Sequence, residues 1–174
     1  VSIQYQVYRD LLSIEREDLR SKIAKVGWGK RFLSKRKAAG HWGREFYQPK
    51  WISSHYTLLD LRNLCIPPTI PEIKESIELI INQEKGPDGG INPIGSVRKS
   101  DVCVNGMFLN YASYFKTEAG VLKSVVDFIL AQHMTDGGFN CMSNTTGAVH
   151  SSLHSTLSVL EGITEYELNG YKYR

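Results

Sequence analysis

The chain has 174 residues, of which 41% are hydrophobic, and its 21 basic and 18 acidic side chains give a net charge of +3. This length and composition suit one folded domain and exclude a wholly disordered, collagen-like or low-complexity chain. No apolar run approaches the ~18 residues of a membrane span, and no signal-peptide pattern opens the sequence. Three cysteines without paired spacing argue against a disulfide framework, so we expect a reducing, cytoplasmic setting.

The first predicted elements are two or three helices in the N-terminal segment 1–37. Apolar residues recur there at helical spacing, and Gly27-Trp28-Gly29 is expected to break the helices. Residues 16–50 carry 11 basic and 3 acidic side chains. Because no nucleic-acid motif accompanies this basic segment, we predict a solvated helix face and no nucleic-acid partner, and contact with a membrane surface stays open.

The remainder of the chain repeats with a period of about 49 residues. Apolar stripes with helical spacing occupy residues 74–83 and 123–132, and each is followed by a turn of the type Asp-Gly-Gly, at Asp88 and at Asp136. A weaker copy of the turn contains Gly40. Another helix is predicted before each stripe or at the chain end, over 54–65, 100–115 and 150–165, and Thr117 is expected to cap the second striped helix.

These periods divide one predicted domain into four segments. They are the N-terminal helices (1–37), a first repeat (38–99), a second repeat (100–149) and the start of a third (150–174). The helices that precede the stripes are apolar on more than one side, so we predict that they lie inside and that the striped helices pack around them. No strand-like alternation of useful length occurs.

This pattern resembles the prenyltransferase and squalene oxidase repeat of squalene–hopene cyclases, oxidosqualene cyclases and protein prenyltransferase β subunits. The marker of that repeat is a Gln near the end of an outer helix, then a glycine turn and an aromatic residue, as in Gln132 and Phe139 here. The resemblance implies an all-α fold, a partial α/α toroid of helical hairpins. It also implies an isoprenoid or other apolar substrate, bound or converted in the toroid cavity.

The alternative is a binding or scaffold module that reuses the toroid without catalysis. The sequence has no Asp-x-Asp-Asp motif, which is the acid of the cyclases, and this absence leaves open whether the chain is an enzyme.

The resemblance also implies a possible zinc site. Protein prenyltransferases hold zinc with an Asp-x-Cys pair and a His on the next inner helix. Here Asp101 and Cys103 start one predicted inner helix, and His150 starts the next. Carboxylate, thiolate and imidazole suit zinc, and three ligands would leave a position for a thiolate substrate. The alternative is a half-buried cysteine with capping or core histidines.

A second candidate set comes from the alignment of the predicted inner helices, at offsets of 50 and 49 residues. His55, Asn105 and His154 align near the starts of three inner helices, and Tyr111 lies on the second of these helices. Helix starts converge on the cavity of a toroid, so these residues are predicted to bind the polar head group of a substrate. The alternative is that each polar side chain caps a helix or faces water.

The third repeat contains an inner helix but no outer helix after it. Leu153, Leu157 and Leu160 are therefore predicted to be exposed, because repeats bury their apolar faces only against neighbouring repeats. We expect the remainder of a longer chain, or self-association through this open edge, to cover them.

Overall fold

The computed structural model describes residues 1–93 and 99–173, with only the backbone of residues 144 and 145. Every regular element in these residues is a helix, and β-type pairing is limited there to one bridge between Lys85 and Ile91, so the all-α prediction is confirmed. None of the described helices is long and apolar enough to cross a membrane. The chain divides into two compact units, residues 1–73 and 74–174.

The first unit contains α1 (Ser2–Leu12), α2 (Glu17–Ile23), α3 (Gly27–Leu33) and α4 (Ser54–Asn63). Gly27, Trp28 and Gly29 were predicted to interrupt the helices, but they form the start of α3. The interruption lies just before them, between the end of α2 at Ile23 and the start of α3 at Gly27. Gly29 is required there because a Cβ atom would lie 2.2 Å from the carbonyl oxygen of Ile23. This close approach packs α3 against the end of α2.

The second unit contains most of α5 (Pro71–Glu84), followed by α6 (Val102–Tyr114), α7 (Ala119–Ala131), α8 (Ser143–Thr146) and α9 (Leu153–Leu168). Helix α9 begins and ends three residues later than predicted. The predicted cap at Thr117 is wrong, because the Glu118 carboxylate accepts the N–H groups of Gly120 at 2.7 Å and Val121 at 2.9 Å. A carboxylate in this position is also stabilised by the positive end of the helix dipole.

Helices α6 and α9, which correspond to two of the predicted inner helices, run side by side in parallel. Their contacts advance together along the chain, from Gly106 beside Ser158 to the hydrogen bond between the Asn110 amide and the Glu161 carbonyl oxygen at 3.2 Å. A Cβ atom on Gly162 would lie 2.3 Å from the Gly106 carbonyl oxygen. The helices can therefore cross this closely only because both crossing positions are glycine, and the N-terminal ends of the two helices lie together.

Each glycine turn is anchored in the same way to the inner helix that follows it. A backbone N–H two residues after the middle of the turn donates to a buried or half-buried side-chain oxygen. The pairs are Trp42 with Ser54 at 3.1 Å, Ile91 with Asn105 at 2.7 Å, and Phe139 with Thr156 at 3.1 Å.

These anchors correct the register of the inner helices. Ser54, Asn105 and Thr156 make equivalent bonds, so the offset between these helices is 51 residues at each step, whereas the predicted alignment used 50 and 49. The number of residues between a glycine turn and the anchoring side chain increases from each copy to the next. An alignment that matches only the turns does not show this increase. In this register His154 is the equivalent of Cys103, and neither His55 nor His154 is the equivalent of Asn105.

The outer face of α9 is exposed. Leu153, Leu157 and Leu160 have 82%, 52% and 55% of their surface accessible, as the repeat pattern predicts. The opposite face, which includes Val159 and Gly162, is buried and contacts α6. Within the described residues, α9 thus has one inner helix beside it, on one side only.

Candidate metal centre

Three side chains of metal-ligand type meet where α6 begins. Asp101, Cys103 and Cys141 each offer one ligand atom, and these atoms all lie within 4.8 Å of one another. All three residues are half-buried, so they are accessible from solvent without being spread over the surface. The cluster contains two of the three predicted metal ligands and one cysteine that was not among them.

Asp101 is held in place by its role as the N-cap of α6. Its Oδ1 atom accepts the backbone N–H of Cys103 at 2.9 Å and that of Val104 at 3.4 Å. Both capping bonds use the same oxygen, so Oδ2 takes no part in the cap. Helix capping therefore fixes the carboxylate beside the Cys103 side chain in advance of any ligand.

The surroundings of Cys103 favour its neutral thiol. Burial is the largest cause that raises the pKa of Cys103, and the negative charge of Asp101 and contact with Cys141 raise it further. A divalent cation would reverse this preference, because metal coordination deprotonates a thiol outright. The arrangement of one carboxylate beside two sulfur atoms thus suits a bound cation better than it suits a free thiolate.

Cys141 is brought to the cluster by the loop that joins the last glycine turn to α9. Its backbone N–H donates to the Ser155 hydroxyl at 3.1 Å, and the Asn140 amide donates to the His150 carbonyl oxygen at 2.8 Å. These bonds hold the loop on the residues that start α9. Because α6 and α9 are parallel and close, a residue fixed to the start of α9 also lies at the start of α6.

His150, the third predicted ligand, lies outside the cluster. It is exposed, and its charge helps to lower the pKa of Asp136, after the larger effect of hydrogen bonds from Ser151. The structure thus brings Asp101 and Cys103 together with Cys141 and not with His150, and metal binding by the predicted set stays a prediction. The other histidine, His154, is exposed in the first turn of α9, next to Ser155.

The predicted head-group site is placed differently from the expectation. Of its four residues, only His154 is exposed, whereas His55, Asn105 and Tyr111 are fully buried. The Asn105 side-chain oxygen accepts the Ile91 N–H, and its amide nitrogen donates to the Ile91 carbonyl oxygen. Both polar atoms of this side chain thus hold the glycine turn on α6. The burial of these three side chains corrects their placement at an open rim, and binding of a substrate by them stays a prediction.

Burial also sets the ionisation of His55 and Tyr111. The His55 ring lies 5.3 Å from the Phe46 ring and 5.1 Å from the Tyr56 ring, between centroids. Removal from water lowers the pKa of His55 to about 3, so the imidazole is neutral at physiological pH. Burial raises the pKa of Tyr111 well above its ordinary value, so this phenol is neutral as well.

Sequence reasoning missed Cys141 as a member of this cluster because the residue precedes its helix and no motif surrounds it. One signal was present: Cys141 stands two residues after Phe139, immediately beyond a glycine turn. Such a residue lies at the end of the repeat where the inner helices start.

Comparison with protein-family models and with curated proteins found no match to this chain. The interpretation of the site therefore rests on its residues and their geometry.

Proposed function

We propose that the chain binds one zinc ion through Asp101, Cys103 and Cys141. The observation that carries this proposal is the approach of three ligand atoms to within 4.8 Å of one another. One hard oxygen and two soft sulfur ligands match the ligand preference of zinc, whereas magnesium and calcium prefer oxygen ligands alone. The half-buried cluster also gives the metal a route of entry from solvent.

The number of protein ligands favours a reactive site. Three ligands leave one position of a tetrahedral zinc ion for a water molecule or a substrate atom, as in catalytic sites, whereas structural sites use four protein ligands. A zinc ion in such a position lowers the pKa of the water or thiol that it binds. Asp101 would orient the ion from the helix cap, and Cys103 and Cys141 would hold it between α6 and the loop before α9.

For the substrate, we propose an isoprenoid or another apolar molecule, within a partial α/α toroid of the prenyltransferase and squalene cyclase type. Support for this part comes from the parallel inner helices and from the glycine turns, which are anchored alike in three copies. A reducing cytoplasm, proposed from the cysteine content, would keep Cys103 and Cys141 available for the metal. The exposed leucines of α9 would be covered by further chain or by a second copy.

The second candidate function is a scaffold module with a structural zinc ion. The observation that favours it is the position of His154, which is exposed next to Ser155, the residue that binds the Cys141 backbone. If the His154 imidazole turned toward the cluster, it would supply a fourth ligand and close the coordination sphere. A closed site would leave no position for a substrate.

Metal titration of the purified chain tests the zinc site that both proposals share. We expect one zinc ion per chain, loss of binding in Cys103→Ser and Cys141→Ser, and unchanged binding in the matched control Cys65→Ser, since Cys65 is buried in the other unit. His150→Ala should bind zinc as the original chain does.

Cobalt substitution then tests the fourth position. An open site predicts that His154→Ala leaves the visible spectrum of the cobalt form unchanged and that an added small thiol alters it. A closed site predicts the reverse for both measurements. Zinc binding that survives both cysteine substitutions would exclude the proposed site.

A further inference from the structure

The first unit carries an exposed patch that combines apolar and basic side chains and that does not depend on the proposed zinc site. We call it the basic–apolar patch, and it consists of Ile3, Val26 and Trp28 with the flanking Lys25, Lys30 and Arg31. The three apolar residues line one pocket of about 350 Å³. Their accessible fractions are 77%, 46% and 62%.

The packing of α3 turns Trp28 toward solvent. Gly29 contacts the backbone of Ile23 and is buried, so the preceding residue is left on the outside of the α2–α3 contact. The Arg31 guanidinium lies 4.8 Å from the centre of the Trp28 ring. By contrast, the Trp42 indole is buried and donates its N–H to the Phe32 carbonyl oxygen at 2.6 Å.

Basic residues flank Val26 and Trp28 in the sequence. Between Asp18 and Glu45 the sequence contains nine basic residues and no acidic one. Lys25, Lys30 and Arg31 are all exposed. An exposed apolar group within a field of one sign of charge is unusual for a surface that faces only water.

We propose that the basic–apolar patch binds an anionic lipid membrane at its surface. Tryptophan prefers the interface between water and hydrocarbon, and Ile3 and Val26 would enter the same layer to a shallow depth. Lys25, Lys30 and Arg31 would meet the negative headgroups, to which basic side chains are attracted. A nucleic acid would match the charge but would leave the apolar side chains beside a phosphate backbone, so the lipid surface fits the patch better.

Vesicle sedimentation tests this surface. We expect the chain to bind vesicles of phosphatidylcholine with 30% phosphatidylserine, to bind phosphatidylcholine vesicles weakly, and to release the anionic vesicles as salt rises. Lys25→Glu and Lys30→Glu should each weaken the partition by at least roughly five-fold, the effect of one basic residue near such a surface. The charge control is Lys172→Glu, an exposed lysine of the other unit, which should bind as the original chain does.

A matched pair of tryptophan variants tests the apolar part. Trp51 is also exposed, at 69%, and has the Lys50 ammonium 5.0 Å from its ring centre, but it lies outside the patch. We expect brominated lipids to quench the fluorescence of the original chain and of Trp51→Ala, and to quench Trp28→Ala much less. Since both indoles are exposed, neither substitution should lower the denaturation midpoint.

Three results would overturn the proposal. They are equal binding to neutral and anionic vesicles, an equal loss of binding in Trp51→Ala and Trp28→Ala, or no vesicle binding at all. If a single-stranded oligonucleotide bound more tightly than the anionic vesicles, and did so without Trp28, the patch would be a nucleic-acid surface instead.

Discussion

The crossing of α6 and α9 gives the sharpest test of how the fold positions the cluster, through the substitution Gly162→Ala. The new Cβ atom would lie 2.3 Å from the Gly106 carbonyl oxygen and 3.3 Å from its Cα atom, so it meets backbone that no rotamer change can move away. The helices must separate by about 1 Å to restore an ordinary contact. Such overpacking costs about 1–3 kcal/mol, partly offset by about 1 kcal/mol of helix propensity.

The same separation should weaken metal binding. Cys141 is fixed to α9 through Ser155, whereas Asp101 and Cys103 belong to α6, so the ligands move apart with the helices. Metal sites tolerate deviations of only about 0.2 Å in ligand distance. We therefore expect Gly162→Ala to show both a lower free energy of unfolding in urea and a weaker affinity for zinc.

The matched control is Gly120→Ala in the exposed first turn of α7. Its Cβ atom would lie 3.0 Å from the Glu118 carboxylate, a side chain that can shift by the few tenths of an ångström required, so we expect stability close to that of the original chain and unchanged zinc affinity. If Gly162→Ala matched this control in both urea denaturation and zinc affinity, the close crossing would not position the cluster.

Three further predictions test the described packing. His55→Phe should reduce the acid sensitivity of unfolding: with a pKa of about 3 in the folded state and 6.5 when unfolded, His55 lowers the free energy of unfolding as pH falls below 6.5, by about 3 kcal/mol at pH 4, and equal pH profiles would contradict this. Asn105→Ala should cost about 3 kcal/mol in urea denaturation because it leaves buried polar groups of Ile91 without partners, and a change below about 1 kcal/mol would show that the anchor is dispensable. Glu118→Ala should lower the thermal midpoint while Thr117→Ala leaves it unchanged, and the opposite order would restore the predicted cap.

Helix positions were accessible from the sequence because apolar stripes and turn residues act locally. The stripe at 74–83 falls inside α5, the stripe at 123–132 falls inside α7 except for its last residue, and the glycine turns at Asp88 and Asp136 separate the helices as expected. An apolar stripe is recognised from its helical period over several turns, so the predicted position of a helix changes little if one residue is assigned wrongly.

The register of the inner helices was not accessible in the same way. The hydrogen bonds of Ser54, Asn105 and Thr156 define it, and three different side chains perform one role. An alignment that starts from the turns cannot see that the connecting loop grows by two or three residues from one copy to the next. The predicted set of His55, Asn105 and His154 followed from such an alignment, in which the offsets between these helices are shorter than the 51 residues of the structure.

The candidate site was accessible in part for a related reason. Asp101 caps the start of α6 and accepts the backbone N–H of Cys103, so their approach follows from the local geometry of the helix cap. Cys141 joins them only through the parallel packing of α6 and α9 and the hydrogen bond to Ser155. Such a contact depends on tertiary structure, and no spacing of residues in the sequence predicts it.

The central claim is that Asp101, Cys103 and Cys141 together hold one metal ion, and X-ray absorption at the zinc edge tests it most directly. The spectrum of the zinc-loaded chain should show two sulfur ligands at about 2.3 Å, with the remaining ligands oxygen or nitrogen at about 2.0–2.2 Å. In Cys141→Ser the sulfur count of any zinc that stays bound should fall to one. A zinc ion surrounded only by oxygen and nitrogen, or a sulfur count that Cys141→Ser leaves unchanged, would contradict the account.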